Sequence, residues 1–177
     1  ESIKKENKSK AEQLASKIIN RHNQLAKQTI KKPDIQKKLL VKLNEDFTEL
    51  LALIDGLVLL GEVTSRSMDY LISFGERLSI KLIAAAINDL SKKSISLTGK
   101  EVGIVTDSNF GESKPLIDTT RLRVSKSIDN LFSKKVIPVI GGFAGADQHG
   151  HTTTFGRGGS DYSATIIGSC IKADEIW

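Results

Sequence analysis

The stretch Thr152-Thr-Thr-Phe-Gly-Arg-Gly-Gly-Ser-Asp161 is followed directly by an apolar run from Tyr162 to Ala173. Three glycines around Arg157 allow the backbone to turn where side chains would clash, and Ser160 with Asp161 supplies N-cap chemistry for a helix. The free N–H groups at such a helix start, beside a guanidinium, suit a carboxylate or a phosphate. The stretch therefore predicts a glycine turn, a helix start and an anion site. The competing interpretation is a surface turn with Arg157 in solvent.

The composition is that of one globular domain: 177 residues, of which 39% are hydrophobic and 27% charged. The chain has no run of about 18 apolar residues and no signal-like start, so neither membrane insertion nor secretion is predicted. The lone Cys170 lies in an apolar stretch, which predicts a buried thiol and no disulfide within the chain. These features predict a cytoplasmic protein.

The net charge of +5 does not by itself indicate a nucleic-acid partner. The lysines of residues 4–10 and 31–38 have acidic residues among or close to them, which favours solvated helix faces. Aromatic residues make up only 5% of the chain, too few for a base-stacking platform. The histidines lack the spacing of a zinc site, and His149 and His151 are predicted to be solvent-exposed. We therefore predict no nucleic-acid partner and assign no metal ligand.

The first part of the chain shows helical periodicity. Apolar residues at helical spacing predict a helix from Ile3 to about Ile30, a break at Pro33 and a second helix from Ile35 to Leu53. The apolar stretch 53–60 is predicted to be the buried end of that second helix. A helical hairpin is thus expected at the start of the chain.

Two further helices are predicted before the pattern changes. A short one covers Ser67 to Phe74, after a polar joint. The next begins at Ser73, whose spacing to Glu76 matches a capping box, and runs to about Leu90. Residues 1–92 are accordingly predicted to form a mainly helical lobe.

From residue 93 onward the pattern becomes that of an α/β domain. Short β-leaning runs cover 93–97, 102–106 and 136–140, with a Thr98-Gly99 turn and a helix starting at Asp118. Strand, helix, strand, glycine loop and helix is the order of a parallel α/β sheet. Residues 174–177 look like the start of another strand, and a chain with such ends is predicted to be an interior segment of a longer protein.

Five segments of the sequence resemble those of a known protein family. They are Ser73-Phe-Gly-Glu-Arg-Leu-Ser79, Gly103-Ile-Val-Thr-Asp107, Val136-Ile-Pro-Val-Ile-Gly-Gly-Phe143, the opening stretch extended to Ala164, and Ala173-Asp-Glu-Ile-Trp177. In residues and in order, the chain resembles the aspartate kinases of the amino-acid kinase family. The resemblance implies a partial three-layer α/β/α amino-acid kinase-like fold with an N-terminal helical lobe, in which residues 93–177 are the substrate-binding part of the same kinase domain.

The resemblance also implies an activity. Enzymes of this kind transfer the γ-phosphoryl group of ATP, with Mg²⁺, to the side-chain carboxylate of L-aspartate, the first step toward lysine, threonine and methionine. The product is 4-phospho-L-aspartate. The attacking carboxylate is already ionised at neutral pH, so alignment and charge shielding suffice without a general base. ATP and Mg²⁺ are expected as co-substrate, with no tightly bound cofactor and a homo-oligomeric intact enzyme.

Residue roles follow from the same resemblance. Arg157 is expected to bind a carboxylate of aspartate, Glu76 its ammonium group, and Asp161 to orient catalytic lysines. The residues expected to line the same pocket are Phe143, Gly159 and Ser160. Each polar assignment has a competing interpretation: Glu76 as the reciprocal half of the Ser73 capping box, Arg157 in solvent, and Asp161 as a first-turn acid that complements the helix dipole.

The chain also departs from the family pattern. The Lys-Phe-Gly-Gly-Thr-Ser phosphate-handling motif, the Thr-Asp-Val-Asp-Gly continuation and the regulatory ACT domains are not found in the sequence. The ATP site is therefore expected to lie mostly outside these residues, and the segment alone is expected to be incompetent in turnover. The alternatives are another amino-acid kinase, acting on glutamate, acetylglutamate or a nucleotide, and a non-catalytic module that binds an amino acid or anion. A basic nucleic-acid binder ranks below both.

Overall fold

A computed structural model describes the backbone of residues 2–177 and the side chains of residues 8–177. The helices and strands follow in chain order: α1 (Ser2–Thr29), α2 (Pro33–Leu60), α3 (Ser65–Asp89), β1 (Ser94–Leu97), α4 (Gly99–Val102), β2 (Val105–Thr106), α5 (Ile117–Ser133), β3 (Ile137–Ile140), β4 (Ala144–Asp147), β5 (Thr152–Thr154) and α6 (Gly159–Ile171).

The three long helices form a lobe with its own core. Their buried faces meet in one apolar cluster made of Ala26, Ile30, Leu39, Leu43, Phe47, Leu78 and Ala85. The turn between α1 and α2 is tied to the end of α3, because the backbone N–H groups of Lys31 and Lys32 donate to the Asp89 carboxylate at 3.0 and 2.8 Å. The predicted helical hairpin is confirmed, with Pro33 in the first turn of α2.

The predicted break near Ser73 is wrong, since α3 is one continuous helix. Its N-cap is Thr64, whose hydroxyl accepts from the Ser67 N–H at 3.2 Å. Ser73 is buried inside the helix and its hydroxyl donates to the carbonyl of Tyr70, one turn earlier. The burial of Phe74 and Leu78 on the same helix stabilises it through Gly75. Glu76 is therefore a mid-helix residue, and the capping-box interpretation of it is excluded.

The end of α2 is helical as predicted, but it is not buried as predicted. Leu59 is 81% exposed and Leu60 is 72% exposed. The helix ends at Gly61, which has a left-handed φ of 77° and donates its N–H to the Leu57 carbonyl. The last turn of α2 leads directly into the connection to α3, and none of the described elements covers the two leucines there.

The five strands form two small sheets between helices. Strands β1 and β3 pair in parallel, β2 pairs in parallel with β4, and β5 adds to β4 antiparallel. Helix α3 packs on β1, β3 and β5. A second apolar core joins α4, α5 and α6 with Ile104 and Phe155, and Leu97 and Ile140 of the sheets pack against it. This arrangement confirms the predicted α/β class and its helix, sheet, helix layers.

Two local predictions in this part need correction. The Thr98-Gly99 turn is the start of α4, and a capping box forms there: the Thr98 hydroxyl accepts from the Glu101 N–H, and the Glu101 carboxylate accepts from the Thr98 N–H. Residues 174–177 are exposed and form no strand within residues 2–177, because no described strand pairs with them. Cys170 is buried as predicted, and burial raises the pKa of its thiol.

Gly99 is a position where the fold leaves no room for a side chain. A Cβ atom there would lie 1.9 Å from the carbonyl oxygen of Ala144, a backbone atom that cannot rotate away. We expect Gly99→Ala to lower the free energy of unfolding by about 1–3 kcal/mol, measured by chemical denaturation. Gly56→Ala is the matched control: its Cβ meets nothing within 4 Å inside α2, so it should raise stability by about 0.5–1 kcal/mol. Equal effects of the two substitutions would contradict the prediction.

Candidate active site

The loop from Gly141 to Phe143, between β3 and β4, is where most of the predicted site residues meet. A Cβ atom at Gly141 would lie 3.6 Å from the Cβ of Glu76 on α3. A Cβ atom at Gly142 would lie 3.1 Å from the hydroxyl of Ser160, at the start of α6. The helix α3 and the start of α6 thus approach the same diglycine, and the approach of α6 is the tighter one, because a Cβ atom at Gly142 would crowd Ser160 whereas one at Gly141 would make an ordinary contact.

Phe143 completes this loop in a strained conformation. Its φ is 50°, a left-handed value that is rare for an aromatic residue. Two hydrogen bonds hold it there: its N–H donates to the Ser163 hydroxyl, and its carbonyl accepts from the Phe155 N–H at 2.9 Å. A Cβ atom at Gly159 would lie only 2.9 Å from the Phe143 Cβ, so glycine is needed at that position. Backbone strain of this kind occurs disproportionately at functional sites.

Glu76 lines a cleft of about 550 Å³ between the helical lobe and the sheets. The strands and loops that also line it contribute several small residues, including Gly141, Gly142, Gly145 and Thr152. Cationic side chains also reach the cleft: Lys42, Arg77, Lys81 and Lys100. A half-buried carboxylate in the same cleft as these glycines, with lysines nearby, can hold an ammonium group next to an anion.

The turn before α6 has the predicted glycine geometry but not the predicted cap. Gly156 and Gly158 have φ values of 74° and 75°, which favour glycine. The N-cap residue is Gly158, without a side-chain cap, so Ser160 and Asp161 lie in the first helical turn rather than at the cap. The prediction of an N-cap at Ser160-Asp161 is wrong because the left-handed glycine begins the helix earlier.

Arg157 and Asp161 are both exposed at this end of α6. Neither side chain lines the cleft that Glu76 lines. Gly142 lines both that cleft and a second cavity of about 340 Å³ beside Ser160, so the diglycine separates the two spaces. The structure brings Glu76, Phe143, Gly159 and Ser160 together around one loop, and the joint action of Arg157 and Glu76 on one ligand stays a prediction.

A buried ion network next to Glu76 was not predicted. The Asp46 carboxylate, whose side chain is 3% exposed, accepts from Arg77 at 2.8 Å and pairs with Lys81. Arg77 also contacts Glu49 and Tyr70 and lies 4.4 Å from the centre of the Phe74 ring. Partial burial would raise the pKa of Glu49, but hydrogen bonds from Tyr70 and Arg77 outweigh it and lower that pKa. The sequence signal for this network was the spacing of four residues between Arg77 and Lys81, which places both cations on one face of the helix.

Asp147 holds the loop that leads into β5. Its carboxylate accepts from the backbone N–H groups of His149 and His151 at 3.0 and 2.8 Å, and from the Ser108 hydroxyl. Burial would raise the pKa of Asp147, but these bonds and the His151 ring hold it at about 2. His149 is exposed as predicted, whereas His151 is only partly exposed, because its ring lies 3.2 Å from Asp147. Among the described side chains, no three His, Cys, Asp or Glu residues are grouped to hold a metal ion.

Comparison with known proteins decides the family. A model described as the amino acid kinase family matches residues 6–177. The chain belongs to that family. Among its relatives in the amino acid kinase family, Aspartokinase 3, chloroplastic, of Arabidopsis thaliana is 39% identical over 126 residues, which is 70% of this chain and 22% of the plant protein. Aspartokinase of Helicobacter pylori is 44% identical over 109 residues, 61% of this chain and 25% of the bacterial one.

The fold of this amino acid kinase family member also matches solved structures. Escherichia coli aspartokinase III in complex with aspartate and ADP aligns with a TM-score of 0.70 at 21% identity, over 89% of this chain and 39% of that chain. At such identity the likeness concerns the fold alone. The chain spans about a quarter of the length of the curated relatives it matches. No described helix is both long and apolar enough to cross a membrane.

Proposed function

We propose that this chain is the substrate-binding segment of an ATP-dependent aspartate kinase, which transfers the γ-phosphoryl group of ATP to the side-chain carboxylate of L-aspartate. The product is 4-phospho-L-aspartate. The observation that carries the proposal is that relatives from a plant and a bacterium are both named aspartokinase, at 39% and 44% identity. The cleft lined by Glu76 supports it, because its volume of about 550 Å³ is ample for an amino acid.

The proposed roles assign one chemical task to each group. Glu76 accepts hydrogen bonds from the substrate ammonium, and Arg157 presents a fork of donors to a substrate carboxylate. Asp161 orients lysines that shield the transferring phosphoryl group. The lining of the pocket is completed by Phe143, Gly159 and Ser160. The attacking carboxylate is ionised at neutral pH, so catalysis consists of alignment and charge stabilisation, with no general base.

The nucleotide half of the reaction is proposed in coarser terms. ATP is the phosphoryl donor, and its Mg²⁺ neutralises phosphate charge, although no residue of this chain is assigned as a ligand of the ion. The residues that bind ATP are proposed to lie mostly outside these 177. Residues 1–92 and 93–177 are proposed as the helical lobe and the substrate-binding part of one kinase domain. The intact enzyme is proposed to be a cytoplasmic homo-oligomer.

The test is calorimetric titration of the 177-residue chain with aspartate, glutamate and acetylglutamate, together with a coupled assay of ADP release. We expect aspartate to bind at least about 10-fold more tightly than the other two, a gap of about 1.4 kcal/mol. We expect no turnover, because the phosphate-handling motif is not in this sequence. A preference for glutamate or acetylglutamate would contradict the substrate assignment. Normal turnover would support the activity and contradict the expectation of an incompetent segment.

A further inference from the structure

We propose that Asp69 is a positioning residue that holds the Arg157 turn at a set position relative to α3, and so relative to Glu76. This inference rests on the proposed function for its ligand, but its geometry does not. Asp69 lies on α3 two helical turns before Glu76, on the same side of the helix. It is 1% exposed, and sequence patterns had not indicated any role for it.

The Asp69 carboxylate connects α3 to two other segments. One oxygen, Oδ2, accepts from the backbone N–H of Gly111 and from that of Thr154, both at 2.9 Å. The other oxygen, Oδ1, accepts from the Thr154 hydroxyl at 2.8 Å. Three donors from a loop and a strand therefore converge on one side chain of the helix that carries Glu76.

Thr154 is held on its remaining side as well. Its carbonyl accepts from both the N–H and the hydroxyl of Ser113, at 2.8 and 2.9 Å. Every polar group of Thr154 thus has a partner, and the residue is buried. Because four hydrogen bonds from two directions meet on it, Thr154 is a fixed point from which the following turn starts.

The two residues after Thr154 are held in place by Phe143 and by Gly111. Phe155 donates its N–H to the carbonyl of Phe143 in the diglycine loop at 2.9 Å. Gly156 has a φ of 74°, and a Cβ atom there would lie 3.0 Å from the carbonyl oxygen of Gly111. Arg157 comes next. Its backbone position is therefore determined by the segments that Asp69 ties to α3.

The hydrogen bonding of Asp69 favours a role in positioning the Arg157 turn over a role in stability alone. None of the ion pairs among side chains 8–177 includes Asp69, so its buried charge is balanced by directed hydrogen bonds alone. Bonds to an ionised acceptor are stronger and more directional than neutral ones. A ligand that bridges Glu76 and Arg157 requires such a support, because binding groups must be held within a fraction of an ångström.

The test compares Asp69→Asn with a matched control. The variant keeps the shape of the side chain but turns an NH2 group toward donors, so it cannot accept all three bonds. We expect the Kd for L-aspartate to rise at least about 10-fold. We also expect amide hydrogen exchange to speed up at Gly111 and at residues 154–159, with little change in α3 around Glu76. The control is Thr120→Val, which removes buried hydrogen bonds to Val105, outside the site; it should lower stability and leave the Kd within 2-fold.

Two further variants keep the outcome decisive if Asp69→Asn does not fold. Thr154→Ser keeps the hydroxyl that donates to Asp69 and should bind aspartate like the wild type, whereas Thr154→Val should weaken binding several-fold. The inference is overturned if Asp69→Asn, or Thr154→Val in its place, loses stability as the control does but leaves both the Kd and the exchange of residues 154–159 unchanged. If the wild-type chain does not bind aspartate, the proposed function fails, and the exchange measurement alone decides the role of Asp69.

Discussion

Replacing Arg157 with alanine is expected to raise the Kd for L-aspartate by roughly 10- to 150-fold, while the thermal unfolding transition stays where it is. The factor corresponds to the loss of charge-assisted hydrogen bonds to a carboxylate, about 1.5–3 kcal/mol. Stability should not change because Arg157 is exposed, on a turn whose conformation is set by Gly156 and Gly158. Calorimetry of the variant with aspartate, beside a melting curve, measures both quantities.

Two companion variants separate the proposed role of Arg157 from a general effect of charge. Arg121→Ala removes another exposed arginine, on α5, and should leave the Kd within 2-fold. Arg157→Lys keeps the charge but loses the planar fork of donors, so its Kd should lie between those of the wild type and the alanine variant. An Arg157→Ala chain that binds aspartate as tightly as the wild type would remove this residue from the proposed site.

The largest loss of stability is expected from Asp46→Ala. This substitution removes the carboxylate that pairs with Arg77 and Lys81 and leaves two partly buried cations without their shared partner. Breaking a buried pair from one side costs about 3–5 kcal/mol, because the remaining charge stays desolvated. Arg77 keeps its contacts with Glu49 and Tyr70, which places the expected loss at the lower end of that range. Chemical denaturation followed by circular dichroism measures it.

Asp55→Ala is the matched control for this prediction. Asp55 lies on the same helix and also forms an ion pair, with Lys8 at 2.8 Å, but both side chains are exposed to solvent. Its removal should cost less than about 1 kcal/mol. The small effect of Asp55 should fade in high salt while that of Asp46 persists, since a buried pair is poorly screened. If Asp46→Ala and Asp55→Ala lower the free energy of unfolding equally, the Asp46 ion pairs do not act as buried ones.

The boundaries of the helical hairpin illustrate what local patterns predict well. Helix α1 and the start of α2 follow from apolar spacing and from Pro33, because helical hydrogen bonds join residues four positions apart. The strands β1 and β3 likewise lie within the predicted β-leaning runs 93–97 and 136–140. The capping box shows the limit: the motif forms at Thr98 and not at Ser73, since a hydroxyl inside a buried helix bonds to the preceding turn instead.

The candidate site was only partly predictable for the same reason. Glycine spacing and the resemblance identified Glu76, Arg157 and their neighbours as residue types suited to an amino acid. They did not reveal Asp69, whose bonds to Thr154 join residues 85 positions apart. They also did not reveal the pairing of Asp46 with Arg77, which are 31 positions apart. A lone acidic residue on a predicted helix carries no signal of what it contacts.

From its sequence alone, this chain determines the helical hairpin of α1 and α2, the glycine turn before Arg157 and its membership of a kinase-like α/β class, because these depend on neighbouring residues and on short motifs. Tertiary structure alone decides that Leu59 and Leu60 stay exposed, that Ser73 lies inside a helix, and that α3 and α6 meet at Gly141 and Gly142. Burial and contact depend on segments distant in the chain, whose arrangement is set by packing of the whole core.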